Sequence, residues 1–267
     1  MILLKKLGAG LNEQIAGLLH DVSHKAFSHI VDWVIGDPTK EDYQDTIHEE
    51  IIKNSEIPKI LDKYFLDYKL VSNLTNFSLL EREAPSLCAD RIDYCLRELK
   101  NEGENIDEFI SSLRNKNGQL FFVDVNFANK FALKYAELQK FHWAGNEARA
   151  RYFILAEVLK YAIEKKIISK LDLDETDDFV IKKLINAKDD FIFKNLNLLE
   201  NGFVIDQSEE GILLLKKFRY IDPEVFIKGG VKKLSEILDS YNSFLKKEKE
   251  NYFHLEKIMI REIKNVK

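Results

Sequence analysis

The sequence predicts a mostly α-helical protein: a helical N-terminal core followed by an α-rich C-terminal part carrying a few short β-strands. Three observations carry that prediction. Only 4 prolines and 11 glycines interrupt 267 residues, too few for the many tight turns of a strand-rich sandwich. Apolar residues recur at helical spacing over most of the chain, whereas apolar runs of strand length are confined to a few places. Helix start and stop signals bracket the periodic stretches. A chain of this length forms one large domain or two modest ones, and the pattern divides it into a helical core over 1–115 and a second part over 116–267.

In chain order, residues 11–35 read as helix, with Asn12 a candidate N-cap and a break near Ser23 to Ala26. "DPTKEDYQD" (37–45) is a polar loop, and helical patterning resumes from about Thr46. A further helix covers about 86–100, and the glycine in "NEGEN" ends it. "NKNGQLFFVDVN" joins a turn signal to an apolar run of strand length. Phe127 to Lys166 is helical, and two short helices follow "DLDETDD" and "NAKDD". "NGFVIDQ" and "KKFRYIDPEVF" read as short strands, the second stopped by Asp222-Pro223, and the lysine-rich tail from about Val231 reads as helix.

Composition narrows the function classes. A net charge of −5 disfavours general nucleic-acid binding, which needs a basic surface, but is compatible with a local basic pocket for a phosphorylated ligand. Cys88 and Cys95 fall on one side of a helix and read as buried, reduced thiols. No apolar run reaches the ~18 residues of a membrane span. The start "MILLKKLGAGLNEQ" lacks the apolar region and cleavage site of a signal peptide. The expectation is a cytoplasmic protein with no membrane association.

The stretch "IAGLLHDVSHKAFSH" holds His20, His24 and His29, half of the chain's 6 histidines. At ~100° per helical residue, Ile15, Leu18, Leu19 and Val22 share one arc, while His20, Asp21 and His24 share the opposite one, with Gly17 among them. Imidazole and carboxylate suit divalent Mn, Fe, Co, Ni or Zn, and the glycine would leave room beside them. The alternatives are a polar surface with satisfied hydrogen bonds, or a structural zinc site on His20 and His24 at i, i+4. In "LCADRIDYCLRE", Cys88, Ile92, Cys95, Leu96 and Leu99 form an apolar arc. Asp90, Tyr94, Arg97 and Glu98 lie opposite, with Leu87 the apolar exception. A carboxylate, a phenol and a guanidinium suit a metal-bound phosphate; an Asp93–Arg97 salt bridge is the plainer account.

Taken in order, "HDVSHKAFSH", "IHEE" and "ADRIDYCLRE" resemble the HD-domain metal-dependent phosphohydrolases, and within them the deoxynucleoside triphosphate triphosphohydrolase branch. The resemblance covers about residues 1–165 and implies an HD-type helical core. It implies that His20, Asp21 and Asp90 ligate the metal, Mg being a further candidate. It places His24 near the scissile phosphate and His29 among the phosphate or substrate contacts. His48 with Glu49 matches a histidine–acid pair that handles protons. Arg91 matches a basic phosphate contact, with Arg97 a further candidate, and Tyr94 and Glu98 match sugar-side contacts.

Ser23 stands where the family often has glycine, and Lys25-Ala26 where it often has Gly-Pro. The family's first ligand is a histidine in an Arg-Phe-Glu-His-like segment upstream of the HD pair, and no histidine precedes His20. The expectation is therefore a chain that begins late or a site with one ligand fewer, and in either case a weakly bound metal.

The expected reaction is hydrolysis of a phosphate ester or anhydride, with a nucleotide or other phosphorylated small molecule as ligand and self-association left open. The alternative is a degenerate HD domain that binds a nucleotide or protein partner without turnover. His142 is a candidate pocket residue beside Arg149 and Arg151, with packing or capping as its plainer role, and His254 is expected to be solvated.

Overall fold

The structure, a computed structural model, describes residues 1–253 and 257–262; His254 lies outside them. The described residues form helices linked by short turns, with six short strands: β1 (Leu113–Lys116), β2 (Gln119–Phe122), β3 (Phe203–Ile212), β4 (Glu224–Ile227), β5 (Gly230–Lys233) and β6 (Ile258–Glu262). This is the mostly α fold that the sequence predicts. No helix among the described residues is long and apolar enough to cross a membrane.

The chain divides into two compact units, each assembled from separated stretches rather than from 1–115 and 116–267. The first comprises Met1–Val22, His48–His142 and Arg219–Phe253. Its helix Ala89–Asn101 buries Ile92, Cys95, Leu96 and Leu99, the i, i+3, i+4, i+7 stripe that turns one helix face to a core. Leu87, the apolar exception on that wheel, precedes the helix and is itself fully buried. Phe131 packs between Phe109 and Phe122, with ring centroids 5.6 and 5.5 Å away. Asn117 (φ 52°) and Gly118 (φ 79°) both take left-handed backbone, which suits the two-residue hairpin joining β1 to β2 in the register Lys116↔Gln119. β4 runs parallel to β2 and β5 antiparallel to β4.

The second unit comprises Ser23–Ile47, Trp143–Phe218 and the described part of the C-terminal stretch. The long helix Asn146–Glu164 buries Leu155, Val158, Leu159 and Ala162 in a core shared with Val31, Val180, Leu184 and Ile192. Helices Asp177–Asn186 and Asp190–Asn201 begin at side-chain caps, Thr176 and Asp189, as the acidic lead-in segments suggest. β3 and β6 pair as an antiparallel ribbon.

Five local expectations need correction. The helix expected over 11–35 with a break near Ser23 to Ala26 is interrupted more widely: it runs from Leu11 to Leu19, with Gly10 rather than Asn12 as N-cap, and a second short helix covers Ile30–Val34. Between them the chain turns through left-handed Phe27 and Ser28. The buried face of the Leu11–Leu19 helix is Ala16 and Gly17, while Leu18 is 61% exposed. A Cβ on Gly17 would overlap Leu4 Cδ1 and come 3.3 Å from Leu80 Cδ1, so the glycine permits close packing and does not open space beside a ligand. The helix expected over 127–166 is interrupted by a wide turn at Gln139–Trp143. Pro223 precedes β4 instead of ending a strand, a place where its missing N–H costs no ladder bond. The tail is not continuously helical: Gly229 and Gly230, both at positive φ, close the β4–β5 turn, and β6 follows the helix Asp239–Phe253.

Candidate metal and phosphate site

His20 is the residue on which the first helix of the "HD" stretch stops. Its Nδ1 lies 3.1 Å from the Gly17 carbonyl oxygen. A carbonyl only accepts, so Nδ1 carries a proton and Nε2 is left for the carboxylates. Nε2 lies 3.1 Å from Asp21 Oδ2 and 3.2 Å from Asp90 Oδ1. Burial pulls the His20 pKa down, but the hydrogen bond to Asp90 and the charges of Asp21 and Asp90 outweigh it, and the net shift is upward.

How residues 70 positions apart meet is visible in the backbone. Glu13, on the Leu11–Leu19 helix, accepts from the amides of Leu79 (2.8 Å) and Leu80 (3.2 Å) through Oε1. The carbonyls of Leu79 and Leu80 in turn accept from the amides of Ala89 and Asp90. One glutamate thus ties the helix that ends at His20 to the segment that starts the helix bearing Asp90. Sequence reasoning passed over Glu13, whose position in the first turn of a helix reads as ordinary dipole matching.

His48 is buried on helix Tyr43–Lys53. Burial, and then the positive charge of His20, push its pKa below the usual imidazole value, with Asp21 opposing. The imidazoles of His20 and His48 are therefore shifted in opposite directions. Glu49 does not orient His48: it is exposed and makes no hydrogen bond or ion pair with a described residue, because adjacent helical residues point ~100° apart.

Arg91 lies in the first turn beyond Asp90. Its Nη2 donates to Glu81 Oε1 (2.9 Å), and its Nη1 donates to the Ser86 carbonyl (3.1 Å) and Cys88 Sγ (3.2 Å). The Tyr94 hydroxyl is bonded to the Tyr135 hydroxyl, and burial pushes Tyr94 well up. Glu98 is half-buried on the same helix. Arg97 is 70% exposed and pairs with Asp93 at 2.6 Å, the plainer of its two readings. His142 is exposed in the Gln139–Trp143 turn.

His24 and His29 belong to the second unit. Their rings meet edge to face, 4.9 Å between centroids. His29 Nδ1 lies 3.8 Å from Asp32 Oδ2, and the Asp32 Oδ1 accepts from the Tyr43 amide at 3.0 Å. Asp32 is buried, and sequence reasoning missed it; the i, i+3 spacing from His29 was the available signal. Because the helix ends at Leu19, the i, i+4 zinc pair of His20 and His24 loses the helical geometry on which it rested.

Two donors each about 2.1 Å from a divalent metal stand about 3 Å apart when they subtend a right angle. The spacing of Nε2 from each carboxylate, and the N, O, O chemistry, fit such an ion. The arrangement is nevertheless hydrogen-bonded and closed: among the described residues no group of three or more His, Cys, Asp or Glu side chains forms a ready metal cage. Metal entry requires Nε2 to give up any proton it carries.

No family model matches the chain. Its helical fold is shared with a phosphohydrolase from Bacteroides thetaiotaomicron, with a TM-score of 0.63 and 15% identity, covering 97% of this chain and 82% of the other. A hypothetical protein from Aquifex aeolicus matches with a TM-score of 0.59 and 18% identity, over 90% and 76% of the two chains. At these identities the likeness is one of fold. The chain is also 39% identical over 235 residues to the uncharacterized protein YdhJ of Bacillus subtilis, covering 85% of this chain and 72% of that one. It belongs to the YdhJ family. A shorter match, 37% over 117 residues, spans 42% of this chain and 34% of the metal-dependent phosphohydrolase cns2 of Cordyceps militaris.

Proposed function

We propose that this chain is a metal-dependent phosphohydrolase of an HD-like superfamily, acting on a nucleotide or another phosphorylated small molecule in the manner of a deoxynucleoside triphosphate triphosphohydrolase. The observation that carries the reading is His20 Nε2 set between Asp21 and Asp90. The likeness to the Cordyceps and Bacteroides phosphohydrolases supports phosphohydrolase chemistry in general.

A divalent metal held by His20, Asp21 and Asp90 would polarise a phosphoryl oxygen and bring bound water toward a neutral pKa. Arg91 neutralises charge on the phosphate oxygens. His48, kept neutral by burial near physiological pH, is suited to accept a proton from water.

A second reading, nucleotide binding without turnover, draws on the absence of a ready metal cage among the described residues. One experiment separates the two. Purified chain is loaded with Mn, Fe, Co, Ni, Zn or Mg; bound metal is counted, and phosphate release is followed over a panel of nucleotides. Metal-dependent turnover that disappears in His20→Ala supports hydrolysis; nucleotide binding without turnover under every metal refutes it and leaves the binding module.

A further inference from the structure

Arg91 is the cation nearest in sequence to the proposed metal-ligating Asp90, and its guanidinium is pinned from several directions. A guanidinium carries five N–H donors. Two of those on Arg91 are spent on Ser86 O and Cys88 Sγ through Nη1, and a third on Glu81 Oε1 through Nη2. That leaves Nε–H and one Nη2–H as donors for an oxyanion. Glu81 is itself fixed, because its Oε1 also accepts from the amide of Arg82 at 3.0 Å. The backbone behind it is braced too: Glu224, buried on β4, accepts from the Leu87 amide at 3.1 Å and lies 3.4 Å from Arg82 Nη1. The Asp222 amide donates to Pro85 O at 2.9 Å. The carboxylate that holds Arg91 therefore sits at one end of a loop, 81–88, that is tied to the first residue of β4 near its two ends and to Asp222, just before that strand, at its middle.

We propose that Glu81 is a positioning residue that sets Arg91 for an oxyanion, presenting its two remaining N–H groups to a terminal or bridging phosphate. The inference rests on the phosphohydrolase reading for the identity of the anion, but concerns binding, not turnover. A carboxylate bonded to an arginine could instead compete with phosphate for the guanidinium. The competing role predicts tighter anion binding when Glu81 is removed, whereas the positioning role predicts weaker binding. The spent donors favour positioning, because Glu81 takes one N–H of five and leaves two for the ligand.

The probe is inorganic tripolyphosphate, titrated calorimetrically with and without added Mn. Glu81→Ala is expected to weaken binding about tenfold, roughly 1.4 kcal/mol. Glu81→Gln, which keeps an acceptor oxygen, should stay within about threefold of the parent. In an Arg91→Ala background the Glu81→Ala loss should vanish, which a merely structural defect would not do. If Glu81→Ala is too unstable to titrate, Glu81→Asp keeps the charge, loses the reach and should weaken binding in the same sense. Unchanged or tighter binding in Glu81→Ala or Glu81→Asp overturns the proposal, as does an equal loss in the Arg91→Ala background. A parent chain that binds no tripolyphosphate also overturns it. A parent that binds the anion with the expected variant pattern but hydrolyses no nucleotide leaves the positioning role standing and removes the proposed activity.

Discussion

Asp90→Asn isolates the charge in the His20 pair while preserving its shape, because the asparagine side-chain oxygen still accepts a hydrogen bond. A hydrogen bond to a charged group contributes about 1.5–3 kcal/mol. The side chains of His20 and Asp90 remain 22% and 30% exposed, so solvent screening reduces the expected loss to about 1 kcal/mol. The pH dependence follows from the raised His20 pKa. A histidine whose folded pKa lies above its unfolded value, about 6.5, contributes stability that is complete below that value and is lost as pH rises through the folded one. Urea unfolding of the parent and Asp90→Asn should therefore differ by about 1 kcal/mol near pH 5.5. Near pH 9, where Nε2 is a lone pair facing a carboxylate, the difference should vanish or reverse. The readout is the urea midpoint at constant m. Equal destabilisation at both pH values would show that Asp90 supports the fold by packing alone, and the ion-pair account of the site would fail.

Other outcomes follow from the same geometry. In an NMR titration the His20 ring should titrate above about 6.5 and His48 below it; the reverse order refutes the opposed fields assigned to them. His20→Ala should lower metal uptake, whereas His48→Ala should spare the metal and lower turnover, and loss of metal in His48→Ala would make it a ligand. Burial, together with the charge of Glu81, pushes the Cys88 thiol up to about 12, and burial pushes Cys95 up as well. Thiol reagents near neutral pH should thus label neither in the native chain and both in denaturant. Phe131→Ala should cost about 3–5 kcal/mol by opening a cavity between Phe109 and Phe122, measured by denaturant melts; a loss under about 1 kcal/mol would mean that this core is loosely packed. Glu13→Ala strands the amides of Leu79 and Leu80 and should cost about 1–3 kcal/mol. It should also shrink the His20–Asp90 coupling in a double-mutant cycle, and an unchanged coupling would deny the clamp.

What was legible in the sequence is what depends on local periodicity. The stripe Ile92, Cys95, Leu96, Leu99, the caps Thr176 and Asp189, and the Asn117-Gly118 turn are each written in a few consecutive residues. The boundary at His20 was not, because "LLHDVSHKAF" has no proline or glycine to stop a helix. The helix stops two residues beyond Gly17, which packs closely against Leu4 and Leu80, a tertiary contact that no local signal announces. The distribution of the histidines between the two units was equally hidden. His20 and His48 share the first unit and His24 and His29 the second, although three of the four lie within one short stretch of sequence. The signals passed over, Glu13, Asp32 and Glu81, are carboxylates whose partners are backbone amides or side chains fixed by folding.

The misplaced helix end has a chemical consequence that a helix face would not. On a face, His20, Asp21 and His24 would present to one another a polar arc in which every charge lies across the helix axis and gains nothing from it. At the terminus, His20 sits where the Leu11–Leu19 helix leaves its last carbonyls unsatisfied, and it uses one of them, Gly17 O, to fix its tautomer. Asp90 sits in the first turn of Ala89–Asn101, where unsatisfied amides favour an anion. Each charge of the pair is thus stabilised by its own helix before the two meet, the cation at a C-terminus and the anion at an N-terminus. Glu13 and the Leu79–Leu80 segment bring those two ends together. Among the described residues the same placement turns Nε2 toward carboxylates, so under the proposed reading a proton and a divalent ion would compete for that nitrogen as pH and metal supply change.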